Sequence, residues 1–173
     1  MLRFVAGILL AFALAAQGRE IVVFDSDSGL FGDDGAALVM LLRSPAQVAI
    51  LGIAVTPGNV WTAQGAEYMF HILELLKRPQ VPVFTGAERP LVHSAAMARE
   101  AEKRWGALSY TGAFTQDPAA VKPAPGASLT NRRPRRESAV EFLIAEIERN
   151  PGDLTILAIG PMTNIALALR LKP

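Results

Sequence analysis

Ile21-Val-Val-Phe-Asp25-Ser-Asp27-Ser-Gly29-Leu-Phe-Gly32-Asp33-Asp34-Gly35-Ala-Ala-Leu-Val-Met-Leu-Leu42 is the stretch from which the rest of the chain is read. Four apolar residues open it and predict a buried strand. The apolar run 36–42 closes it and predicts a helix packed on the sheet. Between them stand four carboxylates, Asp25, Asp27, Asp33 and Asp34, and no Lys or Arg occurs in 21–42. Carboxylates this close repel one another, so some are protonated, or they face open water, or a cation lies among them. Each alone has a plain structural use: Asp33 or Asp34 as a helix cap, Asp27-Ser-Gly29 as a turn. All four together, after a strand and before a helix, are read as a metal or substrate site, because ligands of α/β sheets bind beyond the carboxyl ends of the strands. Oxygen-only ligands suit a hard cation, Ca²⁺ or Mg²⁺.

The pattern continues outward. Residues 48–55, Val-Ala-Ile-Leu-Gly-Ile-Ala-Val, form a continuous apolar run and predict a strand buried on both faces, as in a parallel sheet. Thr56-Pro-Gly58-Asn59 turns the chain. Thr62 is expected to cap a helix running to about Lys77, with Ala66, Met69, Phe70, Leu73 and Leu76 at helical spacing. Residues 83–85 predict a short strand and 95–105 a helix. Ser138 with Glu141 three residues on is a capping box for a helix over 139–150. Residues 154–159 predict a strand, and 162–171 the last helix. This alternation predicts an α/β fold, a mostly parallel sheet with flanking helices joined by right-handed crossovers. Residues 106–137 lack periodicity and carry Pro118, Pro123, Pro125 and Pro134 with the basic run Arg132-Arg133-Pro134-Arg135-Arg136. A loop this long is either disordered or functional. The basic run reads first as solvated surface, with a phosphate or nucleic-acid patch as the alternative. Trp105, Tyr110 and Phe114 are candidates to stack on a planar ligand.

The 173 residues suffice for one domain with a sizeable core. Met1-Leu-Arg3 followed by the apolar run 4–16 and small residues at 13–18 reads as a secretory signal peptide, residues 1–18, leaving a mature domain over 19–173. The expected location is therefore exported, periplasmic or secreted, without stable membrane insertion after cleavage. Loss of Arg3 leaves 16 basic against 16 acidic residues, so no field draws in nucleic acid. Cysteine is absent, which excludes thiol chemistry and thiolate metal sites.

Three blocks carry a family resemblance. Asp25-Ser-Asp27 with Asp33-Asp34-Gly35-Ala36-Ala37-Leu38 resembles the N-terminal aspartate signature of the nucleoside hydrolases, the inosine/uridine-preferring N-ribohydrolases. Residues 51–59, ending Thr-Pro-Gly58-Asn59, resemble the family's second strand and its Gly-Asn turn. Residues 154–169, containing Gly160-Pro161-Met-Thr163-Asn164, resemble its Gly-Pro-Leu-Thr-Asn block. The resemblance implies a Rossmann-like nucleoside hydrolase fold and metal-assisted hydrolysis of the N-glycosidic bond of ribonucleosides to ribose and free base, with Ca²⁺ as cofactor and a small nucleoside as substrate. It implies Asp27 as general base and metal ligand, Asp34 as bidentate Ca²⁺ ligand, Asp25 at the metal shell and Ile159 as a ligand through its carbonyl. It implies Asp33 and Asn59 as ribose-binding residues. Asn164 is expected to tie loops together, or to make a helix-start hydrogen bond.

The chain departs from the family in two ways. The spacer between Asp27 and Asp33 is longer than in the best-known members, so their base preferences do not transfer. The family also has a C-terminal half with a further Asp ligand, a His and ribose-binding residues. The fold is thus expected to be incomplete at its C-terminus, with an exposed edge that favours self-association as a homo-oligomer, and the chain alone is expected to be inactive. His71 is expected to be structural, and His93 a loop residue. Two other readings stand beside this one. A Mg²⁺-dependent phosphoryl-transfer enzyme would use Asp25 and Asp27 but gives the 160–164 block no part. A non-catalytic binding protein for ribosyl compounds would use the same pocket without turnover.

Overall fold

The structure is a computed structural model that describes residues 18–30 and 32–173. The signal-peptide reading falls almost wholly on residues outside these. No described helix is long and apolar enough to cross a membrane. The elements run β1 (Glu20–Ser26), α1 (Asp33–Arg43), β2 (Val48–Val55), α2 (Thr62–Leu75), β3 (Val83–Thr85), α3 (Ala95–Trp105), a 3₁₀ turn (Gly112–Thr115), α4 (Ala139–Arg149), β4 (Leu154–Ala158) and α5 (Thr163–Leu171).

The four strands form one sheet in the order β3-β2-β1-β4, and every neighbouring pair is parallel. The chain winds outward from β1 through β2 to β3, then crosses back to place β4 on the other side of β1. The strand order therefore reverses at β1, and the crevice beyond the carboxyl ends of β1 and β4 is where such sheets hold ligands.

Successive strand residues point to opposite faces, which divides the core in two. Phe24, Ile53 and Val55 pack with Leu38 of α1 and Met69 and Leu73 of α2. Their neighbours Val23 and Ala54 pack on the other face with Phe84, Phe142 and Leu143. This is why β1 and β2 read as continuous apolar runs rather than as alternation.

Several boundaries differ from the sequence expectation. The first strand extends through Asp25 to Ser26, and α1 starts at Asp33, three residues before the apolar run. The N-cap of α1 is Gly32, with no side-chain cap bond, so neither Asp33 nor Asp34 caps it. Both carboxylates instead sit in the first turn, where the helix dipole favours negative charge. Thr62 does not cap α2; the N-cap is Trp61, and Thr62 Oγ1 donates to the Ala87 carbonyl at 2.8 Å. The fourth strand stops at Ala158, one residue before Ile159. The Ser138 capping box is present: Ser138 Oγ accepts from Glu141 N at 3.2 Å, and Glu141 Oε2 accepts from Ser138 N at 2.9 Å.

The long loop 106–137 has only the 3₁₀ turn, yet it is tied down along its length. Gln64 of α2 exchanges hydrogen bonds with the Lys122 backbone at 2.8 and 2.7 Å. Glu67 accepts from Thr130 N at 2.7 Å and from Thr130 Oγ1 at 2.9 Å. Ala124 is buried in the core between these ties. The polar residues Gln64 and Glu67 are buried because the loop covers them.

Between the pairs Val22–Ile50 and Val23–Gly52 the register shifts by one residue, Leu51 of β2 being the extra one, and Gly52 lies against the stacked rings of Phe84 and Phe142, whose centroids are 3.9 Å apart. A Cβ at Gly52 would stand 2.7 Å from Phe142 Cζ and 2.9 Å from Phe84 Cε2. Gly52→Ala is expected to separate the two rings and to destabilise the domain by about 1–3 kcal/mol, the usual cost of overpacking. Urea titration followed by fluorescence measures this; an unchanged midpoint would mean that the stack yields without loss.

Candidate active site

The ends of β1, β2 and β4 converge. From the end of β1 come Asp25 and Ser26, and just after it Asp27; from the turn after β2 come Gly58 and Asn59; from the first turn of α1 comes Asp34. A chain of hydrogen bonds joins them. Ser26 Oγ donates to Asp34 Oδ1 at 2.6 Å and accepts from Ser28 N at 3.0 Å. Gly29 N and Asn59 Nδ2 donate to Asp34 Oδ2 at 3.1 and 2.9 Å. Asn59 N donates to Asp27 Oδ2 at 2.8 Å. Asn59 thus holds both carboxylates, one with its backbone and one with its side chain. Only glycine fits at position 58, since a Cβ there would stand 2.0 Å from Asp27 Oδ2.

Asp25 lies deeper. It is fully buried, and its Oδ2 accepts from Asn164 Nδ2 at 2.8 Å. The same amide group reaches the Val55 carbonyl at 3.3 Å, and Asn164 Oδ1 accepts from Ala87 N at 3.0 Å. Asn164 is therefore a tie between the ends of β1, β2 and β3, beyond any helix-start role. Ile159 N donates to the Asp25 carbonyl at 3.0 Å, which places Ile159 beside the β1 end. Asp33 is exposed on the first turn of α1.

The electrostatics follow from this packing. Burial raises the Asp25 carboxyl to about 6, against the pull of the Asn164 bond and with help from Asp27. Burial also raises Asp27 to about 6, and the Asp34 charge adds to it while the Asn59 N–H opposes it. The ion pairs among the described residues, Lys103–Glu100, Arg149–Glu146 and Lys172–Glu148, all lie elsewhere. No three acidic or imidazole groups among the described residues converge on one point as a complete metal shell. The donor set nevertheless suits a hard cation. It is all oxygen, Asp27 and Asp34 face each other without a positive partner, and Asp25 Oδ1 is buried with no hydrogen bond.

Above the carboxylates opens a cleft of about 320 Å³, lined by Asp27, Asn59, Trp61, His93, Tyr110 and Phe114 among others. Trp61 meets Phe114 edge to face at 5.9 Å, and His93 lies 5.2 Å from Phe114. The long loop forms this wall through three contacts with the turn after β2. Ala113 N donates to the Gly58 carbonyl at 2.8 Å, Gln116 Nε2 donates to the Asn59 carbonyl at 3.1 Å, and the Tyr110 hydroxyl donates to Asn59 Oδ1. Burial and then the charges of Asp27, Asp34 and Asp33 push the Tyr110 phenol up, which keeps it a donor. Of the aromatic residues expected to stack on a ligand, Tyr110 and Phe114 line the cleft. Trp105 does not; it is 76% exposed beside Arg104. Trp61 and His93 take part instead. Trp61 had a sequence signal, its place two residues after the Gly-Asn turn, whereas His93 had none.

Comparison with known proteins agrees with these blocks. The profile of the inosine-uridine preferring nucleoside hydrolases matches residues 22–173. Uridine nucleosidase 1 of Arabidopsis thaliana is 32% identical over 152 residues, covering 88% of this chain and 40% of that protein. A solved plant nucleoside hydrolase superimposes with a TM-score of 0.66 at 26% identity, covering 90% of this chain and 44% of the other. The purine-preferring ribonucleoside hydrolase of Gardnerella vaginalis gives 0.64 at 28% identity, covering 88% and 44%. The chain spans less than half the length of the curated relatives it matches.

Two outcomes are expected. Asp25 and Asp27 bind protons more tightly folded, at about 6, than at the ordinary value of 3.8. Their contribution to stability is therefore complete below about pH 4 and is lost as the pH rises through about 6. In chelator and without divalent ions, Asp27→Asn should raise the thermal midpoint at neutral pH and flatten its fall between about pH 4 and 7; parallel profiles for the two proteins would refute this. Tyr110→Phe should speed amide exchange at Ala113 and Gln116 while changing global stability by no more than about 1 kcal/mol. Unchanged exchange would show that the Tyr110 bond does not hold the loop.

Proposed function

The chain belongs to the inosine-uridine preferring nucleoside hydrolase family, and on that basis we propose that it forms the carboxylate side of a site that hydrolyses the N-glycosidic bond of ribonucleosides. The observation that carries this reading is the arrangement of Asp27, Asn59 and Asp34 beneath an aromatic-walled cleft, at the point where the strand order reverses.

In the proposed site Asp27, Asp34 and Asp25 would hold a divalent cation, Ca²⁺, with the Ile159 carbonyl as a further oxygen ligand. Such an ion would orient sugar hydroxyls and make a bound water more acidic. Asp27 faces the cleft and accepts the proton of the attacking water as general base. Asp33, exposed on the first turn of α1, and Asn59 take the ribose hydroxyls. Because the Asn59 amide nitrogen is committed to Asp34 and its oxygen to Tyr110, Asn59 meets the sugar with little freedom to rotate, and orientation of this kind lowers the entropic part of the barrier. As the C–N bond breaks, positive charge grows on the ribosyl ring, and the surrounding carboxylates stabilise it. Trp61, Tyr110, Phe114 and His93 offer flat faces to the departing base. Uridine is named for one relative and purines for another, so the proposal extends to ribonucleosides as a class.

The Asn164 tie to Asp25 favours this over phosphoryl transfer, since it gives the 160–164 block a part in the same site. The apolar run 4–16 supports an exported location.

The test measures thermal midpoint and ribose release together. Ca²⁺ at up to about millimolar concentration should raise the midpoint, and Asp34→Ala and Asp27→Asn should reduce the rise. In a chain completed with the family's C-terminal half, ribose release from inosine and uridine should require the ion and should vanish in Asp27→Asn. Release by that completed chain indifferent to both ion and variant would overturn the assignment. Binding of ribose or nucleoside by the completed chain without any release would favour the non-catalytic reading.

A further inference from the structure

A second charged feature lies at the opposite ends of the strands. Arg132, Arg133, Arg135 and Arg136 surround Pro134, and the sequence reads this run first as solvated surface. The structure fastens it instead. Arg135 N donates to the Val83 carbonyl at 2.8 Å, so the run follows the outer edge of β3 at its N-terminal end. The Arg132 guanidinium lies 4.7 Å over the Phe70 ring and donates through Nη2 to the Pro79 carbonyl. Between the run and segment 79–83 opens a groove of about 500 Å³.

Three observations make the groove more than a charged rim. No Asp or Glu lines it. None of the four arginines is in an ion pair among the described residues. Arg132 Nη1 is buried with no hydrogen-bond partner. A guanidinium donor left empty away from water is costly, and an anion held nearby lowers that cost through the field even without touching it. The backbone pairing and the Phe70 contact prevent the run from splaying apart to relieve its own repulsion.

We infer that this groove binds a small phosphate-bearing anion. Arginine forks match phosphate oxygens two at a time, and Arg133, Arg135 and Arg136 are exposed and available. The volume falls in the range of small-molecule sites. A nucleic-acid strand is disfavoured, because the one aromatic face at the groove, Phe70, is already covered by Arg132 and leaves none for bases. The groove shares no lining residue with the carboxylate cleft, so this inference stands apart from the proposed hydrolysis.

The test is a titration of the ¹⁵N-labelled protein with inorganic phosphate at constant ionic strength, using chloride as reference and ribose 5-phosphate as a second arm. Saturable shifts are expected at the amides of Val81, Val83, Arg133 and Arg135, with a dissociation constant at or below about 1 mM. They should persist in Asp27→Asn and weaken at least about tenfold, near 1.4 kcal/mol, in Arg133→Ser/Arg136→Ser. Tighter binding of ribose 5-phosphate than of phosphate would identify a sugar phosphate as the ligand; equal binding would identify the free ion. Absence of shifts in the wild type, or equal shifts in the double variant, would overturn the site. Binding confined to heparin or RNA and lost with modest added salt would also overturn it, in favour of a polyelectrolyte surface.

Discussion

Asp27 and Asp34 are held within reach of each other by one residue, Asn59, and this enforced proximity of like charges is the constraint on which the site depends. The Asn59 backbone N–H fixes Asp27 and its side-chain N–H fixes Asp34. Neither carboxylate can swing away to relieve the repulsion. The turn after β2 can carry Asn59 so close because Gly58 has no side chain to meet Asp27. The sheet supplies the rest: β1 ends beside β2 on one side and β4 on the other, so three loops meet at one place. A folded state that stores such repulsion is less stable than it could be, and it is correspondingly ready to take up a cation or a developing positive charge.

The aromatic wall depends on the same residue. The Asn59 amide oxygen and backbone carbonyl receive Tyr110 and Gln116, and Trp61 Nε1 donates to the Gln116 carbonyl at 2.9 Å. The cleft is therefore built from the turn outward. The strand ends set the carboxylates, the carboxylates set Asn59, and Asn59 sets the position of the loop that closes over it. Asp25 stands behind this front row. Its contact with Asn164 joins the β1 end to the loops after β2 and β3.

Much of this was legible in the sequence, for local reasons. The doubly buried strands β1 and β2 appear as uninterrupted apolar runs, and the Ser138 cap is written within four residues. The four aspartates stand out because no cation accompanies them. What was illegible depends on distant partners. Thr62 looks like a helix cap, and only the position of Ala87 in space diverts its hydroxyl. Trp105 and Trp61 are equally aromatic on paper, yet one faces solvent and the other the cleft, because the loop folds back onto the turn after β2. Arg132 reads as one of four surface charges until Phe70 and Pro79 are brought beneath it. Residues 106–137 show no period because their order comes from α2, whose Gln64 and Glu67 bind the loop backbone in place of a helix or sheet ladder.

The anchoring of that loop has a consequence for how the chain can change length. Its fixed points are Tyr110 and Gln116 on Asn59, Lys122 and Thr130 on α2, and Arg135 on β3. Insertions or deletions between Lys122 and Thr130, on either side of the buried Ala124, are confined between two clamps on α2 and do not reach the cleft. A single residue gained or lost between Tyr110 and Gln116 shifts the whole aromatic wall against Asn59. The loop thus divides into a stretch whose changes stay away from the cleft and a gauge whose length sets the cleft wall.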